Sequence, residues 1–267
     1  MNKRIAILGC GWLGLPLAEA FLADGYQING STTSDEKIGD LKKHGISPFL
    51  ISLSEDNIEG NISGFLINVA MLVINVPPRL RGDNTENYVK KMQLLHDAIK
   101  KSSVRKVIFV SSTSVYGAIS GDVTEETIPQ PNTASGKQLL TSERIFRDDS
   151  ELHTTIIRFG GLIGPNRHPV TMLSRRKKLS NGNAPINLIH LNDCIRIIIK
   201  ILKKNWWCET LNGVYPYHPT KQEYYTSEAL RKGLQVPDYV ANSPKISKIV
   251  HSYNLTNVKD FRFTTTL

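Results

Sequence analysis

The chain has 267 residues, of which 40% are hydrophobic, and both values suit a soluble globular protein built on one large domain. Its 33 basic and 24 acidic residues give a net charge of +9, which favours anionic ligands without identifying one. The three cysteines, Cys10, Cys194 and Cys208, lack the spacing of a disulfide framework or a zinc site, so we predict a cytoplasmic protein without a metal. No stretch is long and apolar enough to span a bilayer, so we expect no membrane partner.

The chain begins with a pattern that predicts a strand, a tight turn and a helix. A short aliphatic run starts at Ile5, and three glycines follow it at GxGxxG spacing. Gly9 permits the sharp turn, Gly11 lets a pyrophosphate approach the main chain, and Gly14 lets the helix pack closely on the strand. The helix start supplies unpaired N–H groups and the positive end of a dipole. We therefore predict that a dinucleotide binds at Gly9, Gly11, Trp12, Leu13 and Gly14.

The end of the second predicted strand, 27–32, selects the cofactor in a dinucleotide-binding fold. An acidic residue there would accept hydrogen bonds from the ribose 2′-OH of NAD, but this chain carries three hydroxyl groups, on Thr32, Thr33 and Ser34. Hydroxyl groups with the nearby cation of Lys37 suit a 2′-phosphate. NADP is therefore favoured over NAD, and Asp35 is the residue that argues for NAD.

Strand and helix patterns alternate through the rest of the first half. We predict a helix over 35–44, a strand over 48–53, a strand centred on 71–76, a helix over 84–102 and a strand over 106–110. Pro77 and Pro78 end the strand before them and place a rigid loop at the ligand-binding edge of the sheet, so Val76 and Pro77 are predicted cofactor contacts. The alternation predicts an α/β fold with a doubly wound parallel sheet.

Three later segments complete a set of motifs that occurs in one order. They are SSTSVYG at 111–117 with TASGK at 133–137, RFGGLIGP at 158–165, and NLIHLND at 187–193, which contains an IHxxD pattern. With the glycine loop, they make residues from about Ile5 to Leu234 resemble the short-chain dehydrogenase/reductase superfamily. The similarity is to its extended and atypical members, grouped as NAD-dependent epimerase/dehydratases.

The resemblance implies a Rossmann-type domain with a small C-terminal lobe on the substrate side. We expect one domain over 1–267, in which 1–165 is mainly the dinucleotide-binding core and 166–267 mainly the substrate-side lobe. The two parts interleave, because 185–203 is expected to return to the core. The resemblance also allows a homodimer through a four-helix contact, an expectation that rests on analogy alone.

The resemblance also assigns the catalytic positions. In that family a Ser or Thr binds the substrate oxygen, a Tyr exchanges a proton with it, and a Lys four residues later lowers the Tyr pKa and binds the nicotinamide ribose. The serine position falls on Ser112, the lysine position on Lys137 and the tyrosine position on Thr133. An aliphatic hydroxyl is far too weak an acid to replace a phenol near neutral pH. Tyr116 and His168 are therefore the alternative candidates for the proton donor.

The remaining site predictions concern the cofactor and an anionic substrate. Ser111 and Phe159 belong to segments that lie beside the nicotinamide in the family, so we expect them to contact the cofactor. Arg167, His168 and Arg175 follow the loop that leads to the substrate pocket in relatives using sugar nucleotides, and their cations suit an anionic substrate.

Three functions are compatible with these motifs. The first is an NAD(P)-binding oxidoreductase or epimerase that transfers hydride to or from a hydroxyl or carbonyl of a small, anionic, nucleotide-sugar-like substrate. The alternative is a catalytically weak or inactive NAD(P)-binding regulatory or sensor protein, which the missing tyrosine favours. Binding to nucleic acid is disfavoured, because the lysines are dispersed and no recognised nucleic-acid module is present.

Overall fold

The computed structural model describes residues 3–78, 86–240 and 247–267. The strands are β1 (Arg4–Leu8), β2 (Gln27–Thr32), β3 (Ser47–Leu50), β4 (Ser52–Leu53), β5 (Ile58–Glu59), β6 (Met71–Ile74), β7 (Lys106–Ser112), β8 (Gly121–Val123), β9 (His153–Phe159), β10 (Gly161–Ile163), β11 (Leu188–His190), β12 (Thr210–Gly213) and β13 (Lys248–Val250). The helices are α1 (Gly14–Ala23), α2 (Glu36–Lys43), α3 (Ile62–Leu66), α4 (Tyr88–Lys100), α5 (Ala134–Arg147), α6 (Pro169–Leu173), α7 (Leu191–Lys204) and α8 (Lys221–Arg231). Within the described ranges no helix has the length and hydropathy to cross a membrane.

The central sheet has seven strands in the order β12-β9-β7-β6-β1-β2-β3. β1 pairs in parallel with both β2 and β6, and β3 and β7 continue the parallel pairing outwards. The strand order reverses at β1, so the crevice for a ligand lies at the carboxyl ends of β1 and β6. β6 is buried along its whole length, as expected for a strand covered on both faces. The predicted α/β fold with a doubly wound parallel sheet is confirmed.

The strand predicted over 48–53 is interrupted in the structure. β3 ends at Leu50, the N–H of Ile51 donates to the Thr32 carbonyl, and β4 then pairs antiparallel with β5. The β4–β5 turn is closed by Ser54, whose hydroxyl accepts the Asn57 N–H at 3.0 Å. The sequence pattern did not predict this hairpin, because its Ser-Glu-Asp-Asn turn joins two strands of only two residues each. The helix predicted over 84–102 begins at Tyr88 with Asn87 as its N-cap, and residues 84 and 85 lie outside the described ranges.

The chain divides into two compact units, each described by itself. The first comprises Met1–Ser112, Thr133–Ile157 and Ile195–Thr210, and the second comprises Thr113–Asn132, Arg158–Cys194 and Leu211–Leu267. The glycine loop belongs to the first unit. The second holds the parallel pairs β10–β11 and β13–β8 with α6 and α8. The lobe boundaries predicted from the sequence, 1–165 and 166–267, remain a prediction.

Side chains fix the C-terminal part of the second unit. Asn187 donates from Nδ2 to the Lys248 carbonyl and accepts the Val250 N–H at Oδ1, both at 2.8 Å. The Asp193 carboxylate accepts the N–H groups of Thr264 and Thr265 at 3.2 and 3.1 Å. Asp193 lies inside the first turn of α7 and binds the C-terminal segment.

Replacing Asn187 by Ala is expected to lower the free energy of unfolding by about 1–3 kcal/mol, because it leaves the Lys248 carbonyl and the Val250 N–H without this partner. Urea denaturation measures the change. Asn183→Ala, at an exposed position nearby in the chain, is the matched control, and we expect it to change stability by less than about 0.5 kcal/mol. Equal effects of the two substitutions would contradict a special role for Asn187.

Candidate functional site

The glycine loop of the first unit has the close contacts that its spacing predicts. Gly9 has a φ of +101°, and a Cβ there would lie 2.6 Å from the Asn75 carbonyl oxygen. A Cβ on Gly14 would overlap the carbonyl oxygen of Gly9. Cys10 packs against Gly30, and burial raises the pKa of its thiol to about 12, so it is a packing residue. The loop therefore accepts glycine alone at its first and third positions.

The middle glycine is different, because the space beside it is open. No atom lies within 4 Å of the position that a Cβ on Gly11 would take. α1 begins after Leu13 without a side-chain cap and without an acidic residue in its first turn. An uncapped helix start next to open space fits the diphosphate of a dinucleotide, which would complete the hydrogen bonding of the first turn. Trp12 is half-buried beside it.

Two polar side chains that the sequence analysis missed hold this loop. The Ser31 hydroxyl accepts the Gly9 N–H at 2.9 Å, and Asn75 donates from Nδ2 to the Gly9 carbonyl at 3.0 Å. Ser31 and Asn75 stand at the carboxyl ends of β2 and β6, on either side of β1. For Asn75 the available signal was a polar residue directly after the apolar strand β6, whereas β2 is polar along most of its length and gives no such signal for Ser31.

The end of β2 carries the hydroxyl groups that we predicted to select the cofactor. Thr32 is buried, and its hydroxyl accepts the Ser34 N–H at 3.1 Å, so this side chain shapes the turn. Thr33, Asp35 and Lys37 are exposed. The residues able to meet a ribose or its phosphate are therefore these exposed ones together with the half-buried Ser34.

Residues 75–78, which directly follow β6, have a contact within the same unit. The Tyr88 hydroxyl donates to the Val76 carbonyl at 2.7 Å, while Pro77 is exposed. Val76 and Pro77 thus lie at the carboxyl edge of the sheet, and their contact with the cofactor stays a prediction.

The serines at the end of β7 have different environments. Ser111 is buried, and its hydroxyl donates to the carboxylate of the buried Glu143 on α5 at 2.6 Å. The Ser111 side chain thus links β7 to α5, a structural role that we did not predict. Its contact with the cofactor stays a prediction. Ser112, the last residue of β7, is half-buried.

Thr133 and Lys137 lie one turn apart on the same face at the start of α5. Thr133 is the N-cap, and its hydroxyl accepts the Gly136 N–H at 3.1 Å. The Lys137 N–H donates to the Thr133 carbonyl at 3.0 Å, and both side chains are exposed. The residue at the expected tyrosine position therefore starts the helix, while the lysine remains available to a ligand.

Tyr116, in the second unit, is placed differently from our expectation of a proton donor. Its side chain is fully buried, its hydroxyl donates to Asn212 Oδ1 at 2.8 Å, and it accepts from Arg158 Nη1 at 3.0 Å. The Arg158 guanidinium also lies 5.0 Å from the Tyr116 ring centroid. Burial raises the pKa of Tyr116, against the lowering effect of Arg158. A buried phenol with both hydrogen-bonding directions occupied cannot reach a substrate, so we correct its role to a structural one.

Phe159 and His168 are also engaged inside the second unit. The Phe159 ring is buried against Gly213. His168 caps α6 through Nδ1, and its Nε2 lies 3.1 Å from the Tyr224 hydroxyl and 3.4 Å from Glu228 Oε2. Burial, opposed by Glu228, lowers the pKa of His168. These contacts favour packing for Phe159 and a neutral, structural imidazole at position 168.

The other predicted substrate residues are exposed. Arg167 closes a short turn through backbone hydrogen bonds with Gly164, and its side chain is exposed. Arg175 has a φ of 68°, and the whole run 175–178 is exposed. Their contact with substrate remains a prediction.

The fold and the glycine loop define the class of a Rossmann-type dinucleotide-binding protein. Residues 5–208 match the model of the NAD dependent epimerase/dehydratase family, and the chain belongs to that family. The family is named for NAD-dependent epimerases and dehydratases.

Individual relatives agree with this family. Protein YeeZ from Escherichia coli strain K12 is 33% identical over 238 residues, covering 89% of this chain and 86% of that protein. An uncharacterized UDP-glucose epimerase, YtcB from Bacillus subtilis strain 168, is 26% identical over 43% of this chain and 41% of its own length. The UDP-glucuronic acid 4-epimerase of Bacillus cereus, solved with UDP-glucuronic acid and NAD, is similar in fold, with a TM-score of 0.81 at 20% identity over 98% of this chain and 95% of that chain.

Gly11→Ala is expected to weaken NAD(P) binding at least tenfold, since its methyl group would occupy the open space beside the loop. The melting temperature should stay within about 2 °C of the unsubstituted protein, because no atom is close enough to clash. Isothermal titration and a thermal melt test both parts. Gly39→Ala, on α2 and equally unobstructed, is the control and should bind as the unsubstituted protein does. Unchanged binding in Gly11→Ala would show that the loop is only scaffold.

Tyr116→Phe is expected to lower the free energy of unfolding by about 1–3 kcal/mol, because Asn212 Oδ1 and Arg158 each lose a buried partner. Urea denaturation provides the measurement, with Tyr253→Phe at an exposed site as the control. A variant that keeps full stability but loses all turnover would restore Tyr116 as a catalytic candidate.

Proposed function

We propose that the protein is an NAD(P)-dependent oxidoreductase or epimerase acting on a hydroxyl or carbonyl of a small, anionic, nucleotide-sugar-like substrate. The observation that carries the proposal is the open space beside Gly11 at the uncapped start of α1, in a chain of this family. The Bacillus cereus neighbour binds UDP-glucuronic acid and NAD, which supports the substrate class. The inactive-sensor alternative receives no support from these relatives.

The proposed roles follow from the placement of each side chain. A bound nicotinamide cofactor would accept hydride from the substrate or donate hydride to it. Ser112 would hold the substrate oxygen by a hydrogen bond, and the exposed Lys137 would bind the nicotinamide ribose. Arg167 and Arg175 would neutralise the anionic group of the substrate.

Proton transfer requires a route other than the family tyrosine. Thr133 is too weak an acid, and Tyr116 is buried and hydrogen-bonded. Because Thr133 and Lys137 are exposed, we infer that water delivers the proton to, and removes it from, the substrate oxygen that Ser112 would hold. Slow turnover is the expected consequence, since a positioned acid contributes about 10²–10⁴-fold to rate.

We also propose NADP as the preferred cofactor, held at its 2′-phosphate by Thr33, Ser34 and Lys37. The exposed hydroxyl and ammonium groups support this choice, whereas Asp35 and the NAD bound to neighbouring structures oppose it. We also propose that the protein is a cytoplasmic homodimer. The free thiols of all three cysteines support the cytoplasmic location, and the dimer rests on analogy with relatives.

The deciding experiment is isothermal titration of the protein with NADP, NADPH, NAD and NADH at one salt concentration. We expect micromolar binding, tighter for the NADP pair, and at least tenfold weaker binding in Lys137→Ala. Incubation with the bound cofactor and UDP-glucuronic acid, followed by NMR of the sugar, then measures turnover. Ser112→Ala should reduce that turnover about 100-fold without weakening the binding of the cofactor.

The outcomes separate the parts of the proposal. Absence of binding by all four dinucleotides would overturn it. Tighter NAD binding would overturn only the NADP preference, and equal turnover by Ser112→Ala would remove the role of Ser112. Lys200→Ala, an exposed lysine on α7, is the matched control for charge.

A further inference from the structure

Two histidines of the second unit lie against each other, and neither is among the residues predicted to bind cofactor or substrate. The ring centroids of His218 and His251 are 5.8 Å apart, with 72° between the ring planes. His218 Nδ1 lies 2.9 Å from the Ile186 carbonyl oxygen, and His251 Nε2 lies 2.6 Å from Asp122 Oδ1. Both rings are half-buried, and all four residues belong to the second unit.

The contacts of His218 suit only the neutral form of its ring. A carbonyl oxygen only accepts, so Nδ1 carries the proton that is donated to Ile186, and Nε2 carries the lone pair. Nε2 is buried, and within the described part of the chain no group hydrogen-bonds to it. Protonation of His218 would therefore create a buried N–H donor without an acceptor, which is costly.

The charged groups around His218 do not compensate a positive charge on its ring. His251 follows β13, and two imidazolium rings this close would repel each other. Asp122 on β8 opposes that repulsion, but its carboxylate is exposed, so water and salt screen its attraction. Residues 185–187, which contact the ring through Ile186, carry no ionisable side chain. Burial and His251 lower the pKa of His218, against the raising effects of the Ile186 carbonyl and Asp122.

His218 stands where separate segments of the second unit meet. Its own segment pairs antiparallel with the residues before β11, and the Ile186 N–H donates to the Pro219 carbonyl at 3.0 Å. His251 continues the pairing of β13 with β8, because its N–H donates to the Val123 carbonyl at 2.8 Å. A charged His218 ring can reach water only by leaving this junction, which breaks its contacts with Ile186 and His251.

We propose that His218 forms a pH-sensitive latch with Ile186 and His251, closed while the His218 ring is neutral and open once the ring is protonated. In the open form residues 216–220 separate from residues 185–187 and from His251. The latch is independent of the proposed function, since it involves none of the residues assigned to cofactor or substrate.

The direction of the pH effect follows from the linkage between protonation and opening. The pKa of His218 is lower in the closed latch than its ordinary value of 6.5, so the open form binds this proton more readily. The closed latch therefore keeps its full stability well above pH 6.5 and loses it as the pH falls through the lowered pKa. Burial also lowers the pKa of His168 and His190 in the same unit, so the measurement has to resolve His218 itself.

NMR titration of the full chain from pH 7.5 to pH 5.0 tests the latch, with the histidine ring nitrogens and the backbone amides as probes. We expect His218 to keep the neutral Nδ1–H form at pH 6.5 and to titrate below that value. The amide signals of Ile186 and His251 should shift or weaken with the same midpoint, whereas those of β1 should not follow it.

His218→Asn is the informative variant, because its Nδ2 amide can replace Nδ1 as the donor to Ile186 without a titratable ring. Its Ile186 and His251 amide signals should no longer change over the titration. His153→Asn, at an exposed position of the first unit, is the matched control and should keep the response of the unsubstituted protein. His251→Gln keeps a donor for Asp122 and removes the second ring, so it should move the His218 midpoint up towards 6.5.

A His218 midpoint at or above pH 6.5 overturns the proposal, and so does protonation of His218 that leaves the Ile186 and His251 amides unchanged. An unaltered acid response of those amides in His218→Asn would also contradict it. If His218→Asn does not fold, His251→Gln decides the question, because an unchanged His218 midpoint in that variant would exclude the contact between the two rings as the cause.

Discussion

The conformation of the glycine loop depends on the close approach of the first turn of α1 to the end of β1. Gly14 lies so near the Gly9 carbonyl that no side chain fits between them, and Gly9 itself lies against Asn75. The same Gly9 carbonyl accepts a hydrogen bond from Asn75, and the Gly9 N–H donates to Ser31. The ends of the two neighbouring strands therefore hold the backbone of one residue, Gly9, from both sides. A loop fixed before the ligand arrives loses little conformational entropy on binding, which favours affinity.

Two amide side chains have a comparable role in the second unit. Asn212 accepts from Tyr116, donates from Nδ2 to the His251 carbonyl at 3.0 Å, and its backbone N–H donates to Glu125 at 2.9 Å. Asn187 joins the segment before β11 to β13. Buried polar groups that are satisfied in this way specify a single arrangement, since any alternative leaves donors or acceptors unpaired.

The sequence predicted the parts of the fold that depend on neighbours along the chain. The aliphatic run and glycine spacing located β1 and α1, and the bounds of β2 were correct at Gln27–Thr32. The contacts of Asn75 and Asn187 join residues more than 60 positions apart, so no local pattern identifies the partner of either side chain. The hydrogen-bond partners of Tyr116 escaped prediction for the same reason, because Arg158 and Asn212 lie 42 and 96 positions away in the chain.

Thr133 separates two tasks that the family resemblance assigns to one helix start. A tyrosine there would supply an acid, whereas a threonine supplies an N-cap, which stabilises a helix by about 1 kcal/mol. Lys137 is retained on the same face, and its exposed ammonium can still bind a ribose. On the proposed function, affinity for the cofactor depends on Lys137 and on the glycine loop, while the rate of proton transfer depends on the acid at position 133. A threonine there would therefore slow proton transfer without requiring any loss of cofactor binding, so a chain of this family could keep its cofactor site while its chemistry becomes slower.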